Sequence, residues 1–290
     1  MGDFVKNSFE STEKRTRRQK MVAVLPTMLT LGNAACGFGA ITFAAKVGPE
    51  DLPTGESLLF ISALLIFLAM LFDMLDGGAA RLTNQTSEFG AELDSKCDVI
   101  SFGVAPAFLM LQFCNQYHSR LLWVIAALFV MCVVLRLARF NVETDEDDTH
   151  DFFNGLPSPA AAGVIASFPI AMHGLNRITT MGAEHFMHRV ATWLTPAVVI
   201  ALPFITLAVA CLMVSKIRYT HVFSQLFRGK RNRQHVIQLV FTLAAIYMAR
   251  EMAVPLIFCY FAFASPIRAL WTEVIGRRLH KSTKIRHTDG

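Results

Sequence analysis

Four aspartates stand out by type and spacing: Asp73 and Asp76 in DMLDGGAAR, and Asp94 and Asp98 in GAELDSKCD. Each pair adjoins a long apolar run, LLFISALLIFLAMLF before the first and VISFGVAPAFLMLQF after the second. Ionisable groups at the ends of membrane helices are costly and rare, so a function is the default expectation for them. Spacings of three and four residues put each pair on one helix face. Gly77 and Ala80 flank the first pair, and Gly90 lies one turn before Asp94. Two such helices joined by a short turn near residues 83–88 would aim four carboxylates at one another. Like charges that close need cations, and all-oxygen ligands select hard divalent ions, Mg²⁺ or Mn²⁺. The small residues Gly77, Gly78, Ala79 and Ala80 leave room for a ligand against the backbone. Arg81, at the end of the first helix, suits a phosphate. Metals, a phosphate-binding arginine and a small-residue floor together point to phosphoryl-transfer chemistry.

The elements that must position these groups are membrane helices. Of the 290 residues, 53% are hydrophobic and 17% charged, with a mean hydropathy of +0.44. Soluble domains carry about a quarter charged residues. The apolar residues here come in long runs, which implies an all-α polytopic membrane protein. The spans are expected near Val22–Ala45, Leu58–Ala80, Phe89–Phe113, Leu121–Arg139, Leu156–His173 and Ala191–Val214. Pro106 should kink the third. Thr30 and Asn33 are polar within the first, and either face the nucleotide or bond a neighbouring helix. Residues 235–267 read either as one tilted helix or as a pair of short spans turning at Arg250–Glu251. The basic tail from Arg268 to Arg286 favours the pair, because positive residues stay inside; the total is then about eight spans.

This divides the chain into a basic cytosolic segment (1–20), a transmembrane catalytic domain (21–267) and a basic cytosolic tail (268–290). The same charge asymmetry puts the aspartates on the cytosolic face. The net charge of +5 then reflects topology and not nucleic-acid binding. The six cysteines form no C-x-x-C pair and read as packing residues, and His185 and His188 read as solvated loop residues.

The pattern D-x-x-D-G-x-x-A-R, eight residues, then G-x-x-x-D-x-x-x-D, resembles the signature of the CDP-alcohol phosphatidyltransferases. Asp73, Asp76, Gly77, Ala80, Arg81, Gly90, Asp94 and Asp98 match every fixed position. LPTMLTLGNAACGFGAI, DSKCDVISFGVAPA, RLARFN and FFNGLPSPAAAG further resemble the membrane-embedded phosphatidylserine synthase branch. The likeness covers most of residues 20–165. It implies that family's six-helix core, to which the C-terminal pair of short helices is added. It also implies transfer of a phosphatidyl group from CDP-diacylglycerol to L-serine, with release of CMP, in a bacterial cytoplasmic membrane.

By the same resemblance, Asp73, Asp76, Asp94 and Asp98 hold two Mg²⁺ or Mn²⁺ ions, and Asp98 is also the general base. Gly77, Ala80, Arg81 and Gly90 frame CDP-diacylglycerol. An ordinary aspartate has a pKa of about 4, so the attacking alcohol itself needs electrostatic activation. For the acceptor, Arg136, Arg139, Asn141 and Ser95 lie at the cytosolic ends of their spans, with Lys96, Ser101 and Asn154 nearby. Membrane lipids are the expected surroundings, and a homodimer is an admissible assembly. The competing readings are a family member with a glycerol-phosphate or inositol-phosphate acceptor, which should need a denser basic pocket, and a membrane cation transporter. Transport predicts carboxylates near the bilayer midplane on broken helices; these cluster at one membrane face.

Overall fold

Apolar runs of twenty residues or more satisfy their backbone polar groups in a bilayer by becoming helices. In a computed structural model of the chain, residues 17–48, 54–83, 88–115, 119–146, 153–180, 185–215, 217–219 and 253–267 are described. They form helices α1 (Arg17–Ala45), α2 (Thr54–Thr83), α3 (Glu88–Asp98), α4 (Ala105–Phe113), α5 (Arg120–Glu146), α6 (Ser158–Thr180), α7 (His185–Val214) and α8 (Ala253–Ile267). Six stretches are long and apolar enough to cross a membrane: Pro26–Ala45, Ser57–Gly78, Phe89–Phe113, Arg120–Val142, Ser158–Asn176 and Ala191–Val214. Each falls on an expected span. α8 coincides with the second of the two short spans expected in 235–267, while the first and its turn lie outside the described residues. So do most of the basic N-terminal segment and all of the basic tail.

Three local expectations change. The third span does not simply kink at Pro106. Val99–Val104 is a π-helical segment between α3 and α4, and the Ala105 amide bonds the carbonyl of Ile100. Pro106 follows in the first turn of α4. Its ring cannot pack against a regular preceding α turn and it donates no amide, so the chain widens one turn earlier. Secondly, α5 runs on through Glu146, past the expected end of its span at Arg139. Thirdly, His185 and His188 fall in the first turn of α7 and not in a loop.

The helices pack around α6. Of its apolar window, 78% is buried, against 28–56% for the other five. Ala161, Ala162, Gly163, Val164, Ile165 and Ala166 are buried along it, small enough to admit neighbouring helices closely. α1 lies along α2, fixed by the Ser62 hydroxyl bonding the Ala40 carbonyl at 2.8 Å. α5 lies along α7, with Phe129, Val133, Leu202 and Val209 in their shared core. α8 bridges α2 and α6. The Phe258 ring meets the Phe67 ring edge-on at 5.4 Å and covers Gly163, where an added Cβ would strike it. Large apolar side chains such as Phe38, Trp123, Trp193 and Phe204 face outward, as lipid contact requires.

A small polar clasp sets where α6 begins. Strand β1 (Phe153–Asn154) pairs antiparallel with β2 (Arg218–Tyr219), Asn154 opposite Arg218. The Gly155 amide bonds the Ile217 carbonyl at 2.9 Å, and the Leu156 amide bonds the Leu212 carbonyl at 3.2 Å. Gly155 has φ +86°, and a Cβ there would collide with the Met213 carbonyl, so only glycine suits the position.

Candidate active site

The signature aspartates come from two helix ends. Asp73 and Asp76 occupy one face near the C-terminus of α2, and Asp94 and Asp98 sit on α3 at the entry to the third span. Carboxylate oxygens of Asp73, Asp76 and Asp94 lie within 4.8 Å of one another. At that separation and an effective dielectric of about 20, each ionised pair repels by about 3 kcal/mol. Three such pairs approach the entire net stability of a domain, about 5–15 kcal/mol. The arrangement therefore calls for positive charge between them.

The residues fit a divalent ion. One Asp94 oxygen, Oδ1, is buried with no hydrogen-bond partner among the described residues. A buried orphan acceptor is costly unless a donor or cation meets it. Mg²⁺ sits about 2.0–2.1 Å from its oxygens, so two oxygens on one ion stand no more than about 4.2 Å apart. The trio is thus slightly more open than a closed shell, by an amount that side-chain rotation covers.

Asp98 is outside that trio and is held from another direction. It is 7% exposed, and its Oδ1 accepts a 2.9 Å bond from Nδ2 of Asn33 on α1. Asp76, 4% exposed, accepts a 2.9 Å bond from the Thr30 hydroxyl, one turn earlier on α1. The Thr30 hydroxyl also lies 3.0 Å from the Pro26 carbonyl. Its single proton favours the carboxylate as the stronger acceptor. Thr30 and Asn33 thus make the bond to a neighbouring helix that the sequence allowed, and the partners are the site's own carboxylates.

The floor is open as well as small. A Cβ added at Gly77 or Gly78 would meet nothing within 4 Å. Ala80 and Arg81 fall in the last turn of α2, with their side chains outside the described set, and Gly90 lies half-exposed one turn before Asp94.

The expected acceptor residues divide into pairs. Ser95 on α3 and Asn141 on α5 bond each other, with the Asn141 amide donating to the Ser95 hydroxyl at 3.0 Å. Arg136 on α5 donates through Nη1 to the Ser158 hydroxyl at 2.8 Å, and its buried Nε has no partner among the described residues. Arg139 is half-buried one turn further along α5. Ser101 and Lys96 turn elsewhere: Ser101 donates to the Asn33 carbonyl at 2.9 Å, and Lys96 forms an exposed pair with Glu92 at 2.9 Å. Asn154 is taken up in the β clasp. Ser158 was not among the sequence candidates; its signal was its place before the small-residue run of α6, which read only as packing.

Comparison with known proteins agrees with this geometry. Residues 23–201 match the family model described as CDP-alcohol phosphatidyltransferase. A CDP-diacylglycerol–serine O-phosphatidyltransferase of Methanocaldococcus jannaschii is 46% identical over 129 residues, 44% of this chain and 60% of that protein. One from Helicobacter pylori is 37% identical over 143 residues, 49% of this chain and 55% of the relative. An archaetidylserine synthase of Methanothermobacter thermautotrophicus is 34% identical over 200 residues, 68% of this chain and 70% of the relative. The chain thus spans little more than half the length of the first two.

Proposed function

The chain belongs to the CDP-alcohol phosphatidyltransferase family, and from that membership we propose that it transfers the phosphatidyl group of CDP-diacylglycerol to the hydroxyl of L-serine, releasing CMP. The observation that carries the chemistry is the convergence of Asp73, Asp76 and Asp94 within 4.8 Å, beside an Asp98 held separately by Asn33. Serine as the acceptor is supported by the relatives, whose names share serine while differing in the lipid.

Asp73, Asp76 and Asp94 would hold divalent metal, with Asp98 at the edge of a second position. Such ions neutralise a diphosphate and stabilise charge on the attacked and leaving oxygens. The protein's own groups do the rest. Asp98 receives the proton of the serine hydroxyl as its oxygen bonds to the β-phosphorus, while the bond from that phosphorus to the CMP oxygen breaks. The open backbone at Gly77 and Gly78 admits the nucleotide diphosphate, with Ala80, Arg81 and Gly90 around it. Arg136, whose Nε–H has no partner among the described residues, meets the serine carboxylate, and Arg139 lies one turn away. The Ser95–Asn141 pair ties α3 to α5 and so sets the width of that pocket. By the rule that positive residues stay inside, the basic segments near both ends of the sequence favour a cytosol-facing site in a bacterial cytoplasmic membrane.

The test is an assay of the purified full-length protein with CDP-diacylglycerol and Mn²⁺, offering L-serine, glycerol 3-phosphate and inositol phosphate in turn. Phosphatidylserine and CMP should form with serine alone. Transfer to a phosphorylated alcohol instead would overturn the acceptor, and no transfer to any alcohol would overturn the reaction.

A further inference from the structure

Asn33 is buried completely, yet only half of its side-chain amide is used. Nδ2 donates to Asp98, whereas Oδ1 is buried without a partner among the described residues. The backbone that carries it is fixed in place. Its carbonyl accepts the Ser101 hydroxyl at 2.9 Å. One turn further along α1, Gly37 packs so closely on the π-helical segment that an added Cβ would stand 2.7 Å from the Ser101 Cα. α1 and the π-helical segment thus grip each other on the turn that follows Asp98. An unpaired buried amide oxygen costs about 1–3 kcal/mol. A carboxamide is planar and rigid, so Oδ1 belongs to the same flat group whose Nδ2 holds the Asp98 oxygen. Any alcohol that brings its hydroxyl to Asp98 also brings its neighbouring substituent within reach of this oxygen. In serine that substituent is the vicinal ammonium, a donor with no acceptor of its own.

We propose that Asn33 is a specificity-determining residue. Its Nδ2 orients Asp98, and its Oδ1 accepts a hydrogen bond from the ammonium group of the amino-acid acceptor. Arg136 complements it from α5: an acceptor for the ammonium on one helix and an unused guanidinium N–H for the carboxylate on another match a zwitterion. The inference rests on the serine-acceptor reading above and adds the atom that recognises the amine.

The experiment uses the intact protein in lipid nanodiscs, with saturating CDP-diacylglycerol and Mn²⁺. L-serine is compared with 3-hydroxypropionate, which keeps the hydroxyl and carboxylate and lacks the ammonium. A site built around a donor rejects the analogue lacking it, so wild-type kcat/KM should favour serine by about 100-fold or more. In Asn33→Ala, kcat should fall with both acceptors because Asp98 is no longer held, and the preference for serine should collapse. In Asn33→Asp an acceptor oxygen remains, so the preference for serine should persist while kcat stays low. Binding of CDP-diacylglycerol reports that each variant is folded. Equal use of both acceptors by the wild type would overturn the proposal without any variant. A full serine preference in folded Asn33→Ala would also overturn it, leaving Asn33 a purely orienting residue. Failure of the wild type to use serine at all would instead count against the acceptor reading.

Discussion

Asp94 and Asp98, one turn apart on α3, differ in what already holds them, and that difference separates their predicted roles. Asp94 offers an unpartnered oxygen to the trio, while Asp98 is bonded to Asn33 outside it. Asp94→Asn should therefore abolish Mn²⁺-dependent CDP-diacylglycerol binding, measured by calorimetry. Asp98→Asn should keep most of that binding and lose turnover, and full turnover there would remove the base assignment. Arg136 is the second case. Truncation to Ala deletes a charge-assisted bond, about 1.5–3 kcal/mol, equivalent to a tenfold to hundredfold rise in serine KM if binding alone is lost. CDP-diacylglycerol affinity should change little. Arg136→Lys should not restore serine binding, because an ammonium cannot bond Ser158 and a carboxylate with the guanidinium's geometry. Normal serine KM in Arg136→Ala would move the acceptor carboxylate to Arg139.

At the scale of elements, what was legible in the sequence depended on range. The spacing of Asp73, Asp76, Asp94 and Asp98 identified two helix faces, because three- and four-residue periods are local. The positions of all six long spans followed from apolar runs. Thr30 and Asn33 were visible as polar breaks in the first run, but their partners lie 46 and 65 residues away. No local period says which helix will come to meet them. The π-helical segment was hidden for another reason: Pro106 announces a disturbance but not its form, and the widened turn precedes it. The grip of α1 on that turn gives a prediction with a built-in contrast. Gly37→Ala pushes a methyl into the backbone at Ser101, which cannot rotate aside, so overpacking should cost about 1–3 kcal/mol and displace Asp98. Gly163→Ala first meets the Phe258 ring, a side chain and not backbone, so it should cost less. Thermal unfolding in detergent, read with turnover, would rank the two. Equal loss, or a smaller loss at Gly37, would mean that the turn yields more easily than its packing implies.

For the whole molecule, topology is the testable quantity. The basic segments near both ends predict that both termini lie on the cytosolic side with the aspartates. Reporter fusions after residue 20 and after residue 285 should report the same compartment; opposite compartments would favour a single final span. The β clasp bears on a different matter, the boundary of the catalytic unit. The match to the family model ends at residue 201, yet β2 at Arg218–Tyr219 supplies the pairing edge for β1, and Leu212 and Ile217 supply the carbonyls that seat Gly155 and Leu156. Ser158, the partner of Arg136, lies just beyond that seat. A fragment trimmed where the likeness ends would lose the second half of α7 and leave β1 without its partner strand, next to the start of α6. The smallest piece that preserves the reaction site is therefore set by hydrogen bonding and extends at least to Tyr219. With the Phe258 ring seated on Gly163, the packed body continues into α8.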